Sequence, residues 1–173
     1  MKTLRWFGAV ALAAVVAGPS ARAQEIPKPG PEHEVFKHWE GTWDVTVKAG
    51  GMEHKGTMTC KMDLGGMWLV SSLESGAPGA KVYGKALDSY DAASKKYVSV
   101  FVDSMSGRPL VMEGTYDKDR KTLTMAGEGP GMDGKPTRYK SVTTITDADT
   151  MNASMWMGGE KAEPCTVVFK RKK

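Results

Sequence analysis

The chain has 173 residues, which suits one domain with a single hydrophobic core, and its formal net charge is +4. Lys2, Arg5 and Arg22 lie in a leader that we expect to be cleaved, which leaves 21 basic residues facing 20 acidic ones. A nearly neutral body with a short basic KRKK tail argues against nucleic-acid binding.

The first 23 residues have the pattern of a signal peptide. Lys2 and Arg5 precede the apolar run FGAVALAAVVAG, and ARA at 21–23 fits the small-x-small rule for cleavage. The apolar run is shorter than the roughly 20 residues that a membrane-spanning helix needs. We therefore expect residues 1–23 to be removed, no transmembrane segment to remain, and the mature protein to be periplasmic or secreted.

Residues 24–40 are expected to form an extended lead followed by a short helix. The stretch EIPKPGPEHE is rich in proline, and PEHEVFKHWE can form one or two helical turns with Pro31 near the first position. From Trp43 onward the apolar positions recur with a period of two, which indicates strands. Residues 41–173 are therefore predicted to form one β-domain.

About ten short strands follow one another at spacings of about 8 to 12 residues. Turn signals separate them, such as DAASKK, DKDRK, GPGMDGKP and DADT. Short turns favour an up-and-down arrangement, and pairing the last strand with the first would leave no free edge. The sequence predicts an all-β, antiparallel up-and-down β-barrel of about ten strands, with the N-terminal helix capping one end.

Gly41-Thr42-Trp43 stands where the helix meets the first strand. A glycine allows a tight turn there, and Trp43 can cover the barrel floor with Arg171 of the last strand on its ring. This arrangement resembles the lipocalin superfamily, in which a Gly-x-Trp at the first strand lies under a basic residue from the final strand. The resemblance implies structural roles for Gly41, Trp43 and Arg171.

Longer blocks resemble an uncharacterised bacterial family, a numbered domain of unknown function with a lipocalin-like barrel that is often secreted. The matching stretches are EGTWDVTV, LGGMWLV, SYDAASKKYVSVFVDSMSG, EGTYDKDRKTLT and DGKP. Met67 stands where the family pattern has an arginine, so no role is carried over for that position. The resemblance implies a lipocalin-like, calycin-type fold and no established activity.

Our first functional hypothesis is a binding protein whose barrel encloses a small, mainly apolar molecule. Which side chains point inward depends on strand register, because a slip of one residue exchanges the two faces of a strand. The candidate ligand-binding residues are Trp68, Tyr83, Tyr97, Phe101, Asp103, Met112, Glu113, Tyr116, Arg138 and Trp156.

Asp103 and Glu113 support a second hypothesis, a cavity enzyme that uses them as acid and base. They share a face if Asp103 pairs with Val111, and they are separated if it pairs with Leu110. The alternative roles are a turn-closing bond for Asp103 and an ion pair with Arg138 for Glu113. A third hypothesis is a structural envelope protein with a filled barrel.

No cofactor or metal is predicted. His33 and His38 are five residues apart and so lie on different sides of a helix, which disfavours a shared metal. Methionine sulfur suits Cu(I), but methionine also fills irregular apolar interiors, and we prefer the second explanation.

The sequence does not decide whether Cys60 and Cys165 form a disulfide. Export permits one, whereas strands two and ten of a closed meander are separated by about 9.6 Å, beyond the roughly 7 Å limit between Cα atoms.

The strand KYVSVFVDS is apolar on both faces, with Tyr97 and Phe101 on one face and Val98, Val100 and Val102 on the other. One face can line the barrel, and the other must be covered or exposed. A homodimer, or a helix over the outside, would explain the second face.

Overall fold

A computed structural model describes residues 27–77 and 80–173, so the signal peptide expected at residues 1–23 lies outside the described residues. A 3-10 turn, Pro31–His33, leads into the helix α1 (Glu34–Trp39). Ten strands follow. They are β1 (Gly41–Ala49), β2 (Met52–Asp63), β3 (Trp68–Ala77), β4 (Ala80–Asp91), β5 (Lys96–Asp103), β6 (Leu110–Asp117), β7 (Thr122–Pro130), β8 (Pro136–Asp147), β9 (Thr150–Met157) and β10 (Cys165–Arg171).

The strands form a closed antiparallel barrel in which each strand pairs with its neighbours in sequence. β10 pairs with β1, with Trp43 opposite Arg171 and Val47 opposite Val167. The predicted up-and-down barrel of about ten strands is therefore confirmed. Within the described part of the chain, no helix is long and apolar enough to cross a membrane.

The two ends of the barrel differ in what covers them. At the closed end, α1 lies against the strand ends: Trp39 contacts Phe169 edge to face, and Phe36 contacts Tyr97 in the same way. The longer connections 104–109, 131–135 and 158–164 lie at the opposite, open end.

Three hairpin turns at the closed end begin with aspartate. Asp91, Asp117 and Asp147 each accept a hydrogen bond from the backbone N–H two residues later, and Asp91 and Asp117 also accept one from the N–H three residues later. Aspartate closes turns in this way because its side chain reaches the backbone locally. These bonds set the registers of the β4–β5, β6–β7 and β8–β9 hairpins.

The side chains that point into the barrel differ in exposure from one end to the other. At the closed end, Trp43 and Met151 are fully buried. Towards the open end, the inward side chains of Leu73, Phe101 and Val167 are only partly buried. These side chains face the interior of the barrel, the lumen, and their partial exposure lies towards the open end.

The strand β5 has two apolar faces, as its sequence indicates. Tyr97 and Phe101 point inward with Ser99, while Val98, Val100 and Val102 point outward. No helix among the described residues lies over the outward face, and Val102 remains 45% exposed.

Candidate functional site

The barrel floor is built around Trp43. Its indole is fully buried, and its Nε1 donates a hydrogen bond to the carbonyl of Trp39 at 2.8 Å. The Arg171 guanidinium carbon lies 4.2 Å from the centre of the indole, within the range of a cation–π interaction. This is the placement that the resemblance to lipocalins implies, and it ties the last strand to the first.

Arg171 also binds the backbone that leads into β1. Its two terminal nitrogens donate to the carbonyl of Glu40 at 2.6 Å and the carbonyl of His38 at 2.8 Å, and its Nε donates to the carbonyl of Ala148 at 3.1 Å. Asp149 adds an ion pair at 3.3 Å. The charge of this arginine is therefore satisfied within the protein, and the floor needs no ligand.

Gly41 is required at the start of β1 for two reasons. Its φ is 116°, a left-handed conformation that residues with a side chain rarely adopt. A Cβ at this position would also lie 2.8 Å from a terminal nitrogen of Arg171. The glycine thus lets the arginine reach the carbonyls beneath it.

The register of the strands divides the ten candidate ligand-binding residues equally. Because alternate residues of a strand point to opposite faces, the inward position of buried residues such as Tyr97 and Met112 fixes the others. The inward candidates are Tyr97, Phe101, Asp103, Met112 and Tyr116. The candidates on the outer surface are Trp68, Tyr83, Glu113, Arg138 and Trp156. These last five do not line the lumen, so their assignment to it is corrected, while ligand binding by the inward five stays a prediction.

Asp103 and Glu113 are not an acid–base pair. β5 pairs with β6 so that Phe101 lies opposite Leu110, and this register puts the two carboxylates on opposite faces. Asp103 accepts hydrogen bonds from the backbone N–H groups of Met105 and Ser106, at 2.8 and 3.0 Å, and so closes the turn. Glu113 forms its ion pair with Lys96 on the outer surface.

Arg138 does not partner Glu113 either. Its nearest acid is Glu128 on the neighbouring strand, at 3.9 Å, and both side chains are well exposed. Trp156 lies on the same outer surface, with the Lys140 ammonium 5.9 Å from its ring. Large aromatic side chains therefore occur on both faces of this barrel.

Asp88 is the polar group that the sequence analysis missed. It lies on β4 opposite Leu69 of β3 and Ser99 of β5, both of which are buried, so its carboxylate points into the lower half of the lumen. Burial raises its pKa from 3.8 to about 6, and the neighbouring Ser99 hydroxyl offsets part of that effect. No lysine or arginine of the described residues forms an ion pair with it.

Asp88 nevertheless keeps intermediate solvent exposure. Asp88 is therefore largely enclosed by protein, while part of the residue remains in contact with water.

Small polar side chains accompany Asp88 and form with it a polar band of Cys60, Ser71, Asp88 and Ser99. The Ser71 hydroxyl donates a hydrogen bond to the Cys60 sulfur at 3.2 Å. Burial raises the pKa of the Cys60 thiol to about 11, so the thiol is protonated and a poor nucleophile. The band can accept and donate hydrogen bonds, which suits binding better than covalent chemistry.

One signal in the β4 sequence, KVYGKALDSYD, points to the inward position of Asp88. Lys81 and Lys85 share one face of the strand, and Asp88 lies on the other with Gly84 and Ala86. Two lysines on one face of a barrel strand indicate the solvent side, which leaves the aspartate inside.

The two cysteines are free, which settles the disulfide against the bridged alternative. Cys60 pairs with Gly41 at the closed end, whereas Cys165 lies opposite Met155 at the open end. The two cysteines are separated both by the intervening strand β1 and by their positions at opposite ends of the barrel, so their sulfur atoms are beyond bonding range.

The histidines near α1 have structural surroundings. Nδ1 of His33 accepts a hydrogen bond from the backbone N–H of Gly30 at 3.2 Å, while its Nε2 is buried without a hydrogen-bond partner. The ring lies edge to face with Phe36 and Tyr90. Among the described residues, no group of three His, Cys, Asp or Glu side chains could hold a metal ion.

A hollow of about 530 Å³ lies at the closed end, between α1 and the ends of β5 to β8. Val35 and Ile145, together with the inward side chains of Tyr97 and Tyr116, give it an apolar wall. Charged side chains stand around it on both sides, with Glu32 and Glu34 on the helical segment and Lys118 and Lys121 on the facing turn.

Residues 28–171 match the family model described as Protein of unknown function (DUF1579). No curated protein matches the chain. The match spans the helix and all ten strands, including Gly41, Trp43, Asp88 and Arg171. The chain therefore belongs to the DUF1579 family, and its architecture is a closed ten-stranded antiparallel barrel.

Proposed function

We propose that this protein binds a small, mainly apolar molecule in the lumen of its barrel, entering from the open end. The walls above Asp88 are apolar and in contact with water, as the partial exposure of Leu73, Phe101 and Val167 indicates. Such walls gain free energy when an apolar ligand displaces the water.

The rim of the open end supports the same function. Exposed methionine side chains stand in the loops or at strand ends there: Met52 (62% exposed), Met105 (71%), Met132 (86%) and Met157 (40%). Methionine is flexible and polarizable, so it can adapt to apolar molecules of different shape. A rim of this kind favours entry of an apolar ligand over exclusion.

The observation that carries the proposal is the unpaired carboxylate of Asp88 deep in the lumen. A carboxylate that is held away from water without a cation lowers the stability of the folded state. From a pKa raised from 3.8 to about 6, the destabilisation near neutral pH is up to about 3 kcal/mol. A polar group at the base of an apolar pocket typically orients a ligand, which accounts for this position.

A filled barrel with a purely structural role is the competing function. A deep carboxylate in contact with water would not stabilise such a filled barrel, and an uncharged side chain at this position would make the barrel more stable.

The experiment is titration with the uncharged fluorescent probe N-phenyl-1-naphthylamine. Ala86 points into the lumen between Ser71 and Phe101, so Ala86→Phe should fill the space that the probe occupies. Thr124→Phe adds a ring on the outer face of β7, away from the lumen, and is the control. We expect the wild type and Thr124→Phe to bind the probe, and Ala86→Phe to bind it at least about fivefold more weakly.

Equal binding by all three proteins would place the probe outside the lumen and overturn the proposal. Circular dichroism checks that the variants are folded. If Ala86→Phe fails to fold, Ala153→Phe fills the lumen from β9, opposite Thr143 and Val167, and is measured in its place.

Export is part of the proposed function, since the leader at residues 1–23 has a positive start, an apolar core and a cleavage site. Cell fractionation followed by N-terminal sequencing tests it. We expect a mature chain that begins at Gln24 outside the cytoplasm, and an uncleaved cytoplasmic chain would contradict the proposal.

Pairing of two copies is the proposed explanation of the outward face of β5. Its neighbours on β4 and β6 extend it into an outer patch of Tyr83, Leu87, Val98, Val100, Val102 and Val111. Four of these side chains are at least 40% exposed, which is unusual for adjacent apolar groups on a monomer.

The charges around the outer patch are arranged to suit a second copy. Lys85 lies opposite Val102 and Glu113 lies opposite Val98, so the two charges stand in diagonally opposite directions from Val100. A two-fold axis through Val100 in the plane of the patch would place Lys85 of each copy against Glu113 of the other.

Charge exchange tests this interface. By sedimentation equilibrium we expect a wild-type dimer, dissociation by Lys85→Glu, and recovery when Glu113→Lys is added. Thr124→Glu on the outer face of β7 is the control and should remain dimeric. A wild-type monomer at all concentrations would overturn the pairing while leaving the lumen proposal intact.

A further inference from the structure

The lumen has one inward carboxylate in each half. Besides Asp88 in the lower half, Asp103 points inward near the open end, where burial, and then the charge of Asp103, raise the pKa of Tyr139. Asp103 already accepts two backbone hydrogen bonds, at 2.8 and 3.0 Å, so its charge is partly satisfied. Asp88 has a hydroxyl from Ser99 and no charged partner.

The basic residues of the strands lie almost entirely outside. The lysines of β1, β2, β4, β5, β8 and β10 fall on the outward positions of their strands, as does the one arginine of β8. They are Lys48, Lys55, Lys61, Lys81, Lys85, Lys96, Arg138, Lys140 and Lys170. Among the described strand residues, the inward lysine or arginine is Arg171, which lies at the floor and is bound to carbonyls and Asp149, and the inward histidine is His54, which is exposed near the open end.

The charge that would balance Asp88 is therefore absent from the wall of the lumen, and a ligand can supply it. We infer that the ligand class is an apolar molecule that carries a basic nitrogen, with the protonated nitrogen bound to Asp88 and the apolar part against Leu73, Phe101 and Val167. This inference rests on the proposed function and specifies its ligand.

The geometry favours a cation over an anion or a neutral group. A carboxylate accepts hydrogen bonds and an ammonium donates up to three, so the pair forms charge-assisted bonds inside a space of low polarity. An anionic ligand would instead face Asp88 and Asp103 with no inward lysine or arginine above the floor to offset them. A neutral alcohol can donate one bond to Asp88 and is expected to bind with intermediate strength.

The test compares three probes with the same eight-carbon chain, namely octylamine, 1-octanol and octanoate, by calorimetry near neutral pH. We expect octylamine to bind at least about tenfold more tightly than octanoate. In Asp88→Asn, which keeps the shape and removes the charge, that preference should fall to about twofold or less. Asp44→Asn, on the outer face of β1, changes the net charge equally and should leave the preference unchanged.

Each other outcome separates this inference from the proposed function. Suppose that octanoate binds as tightly as octylamine or more tightly, and that Ala86→Phe abolishes this binding. That result would overturn the ligand class and leave a lumen that binds apolar molecules. A preference for octylamine that survives Asp88→Asn would overturn the role of Asp88. Failure of all three probes and of the naphthylamine probe to bind would overturn the proposed function itself.

Discussion

The floor and the lumen of this barrel each contain one deep charge, and the two are treated in opposite ways. At the floor, Arg171 donates hydrogen bonds to the carbonyls of His38, Glu40 and Ala148 and lies over the ring of Trp43. In the lumen, Asp88 has a hydroxyl partner and no cation, and burial raises its pKa to about 6.

The difference indicates that the two charges have different roles. A charge whose hydrogen bonds are all made within the chain holds the fold together. A charge left without its counterpart weakens the fold and is available to something that is not part of the chain. Substitutions at each place should therefore change stability in opposite directions, and four measurements test that contrast.

Removal of the floor should have the largest effect. Trp43→Ala deletes a fully buried indole together with its hydrogen bond to Trp39, so we expect the free energy of unfolding to fall by about 3 to 5 kcal/mol. Urea denaturation followed by circular dichroism measures it. Trp156→Ala removes an indole from the outer surface and should have an effect of about 1 kcal/mol or less. Equal losses would mean that Trp43 is not the support of the floor.

Neutralising the lumen charge should stabilise the protein. The folded-state pKa of Asp88, about 6, lies above its unfolded value of 3.8, so the unfolded chain loses the proton first as pH rises. Wild-type stability should therefore decline between about pH 4 and pH 6 and stay at its lower value above that range. Asp88→Asn should lack this decline and be more stable near neutral pH by up to about 3 kcal/mol.

The same Asp88→Asn variant should match the wild type below about pH 3, where the carboxyl is protonated in both states. Urea denaturation at several pH values measures both predictions. A variant that is less stable than the wild type at neutral pH would contradict the contrast, because Asp88 would then be supporting the fold.

Changing the shape of the floor charge while keeping its sign should have an intermediate effect. Arg171→Lys retains a cation but loses the planar fork that reaches the carbonyls of His38 and Glu40 together. We expect a loss of about 2 kcal/mol in urea denaturation. A loss below about 0.5 kcal/mol would show that charge alone, without the fork, is enough.

An exposed carboxylate should have the smallest effect. Glu113 pairs with Lys96 on the outer surface, and both side chains are more than 40% exposed. Glu113→Gln should therefore change the free energy of unfolding near neutral pH by at most about 1 kcal/mol. A pH-dependent gain like that of Asp88→Asn would mean that exposure does not distinguish the two acids.

The fold could be predicted from sequence because its signals are local and repeated. Alternating apolar residues, turns that begin with Asp91, Asp117 and Asp147, and the Gly41-Thr42-Trp43 junction each depend on a few neighbouring residues. The pairing of β1 with β10 then follows from the need to leave no open edge. Trp43 and Arg171 come together as a consequence of that pairing.

The lining of the lumen could be predicted only in part, because it depends on which face of each strand points inward. In β5 both faces are apolar, so the pattern does not distinguish them, and the register between β5 and β6 decides the positions of Asp103 and Glu113. Their aromatic character predicts inward positions for Trp68, Tyr83 and Trp156, yet an outer barrel surface also accepts such residues. The inward position of Asp88 becomes visible only by comparison with Lys81 and Lys85, which mark the opposite face of β4.

The bond between Arg171 and Glu40 joins residues 131 positions apart in the chain. We expect contacts between residues so distant in sequence to form late in folding, after the hairpins with their aspartate turns. Interactions that are absent from the folding transition state act mainly on the rate of unfolding. The contacts of Arg171 should therefore have little influence on how fast the barrel assembles and a large one on how long it stays assembled.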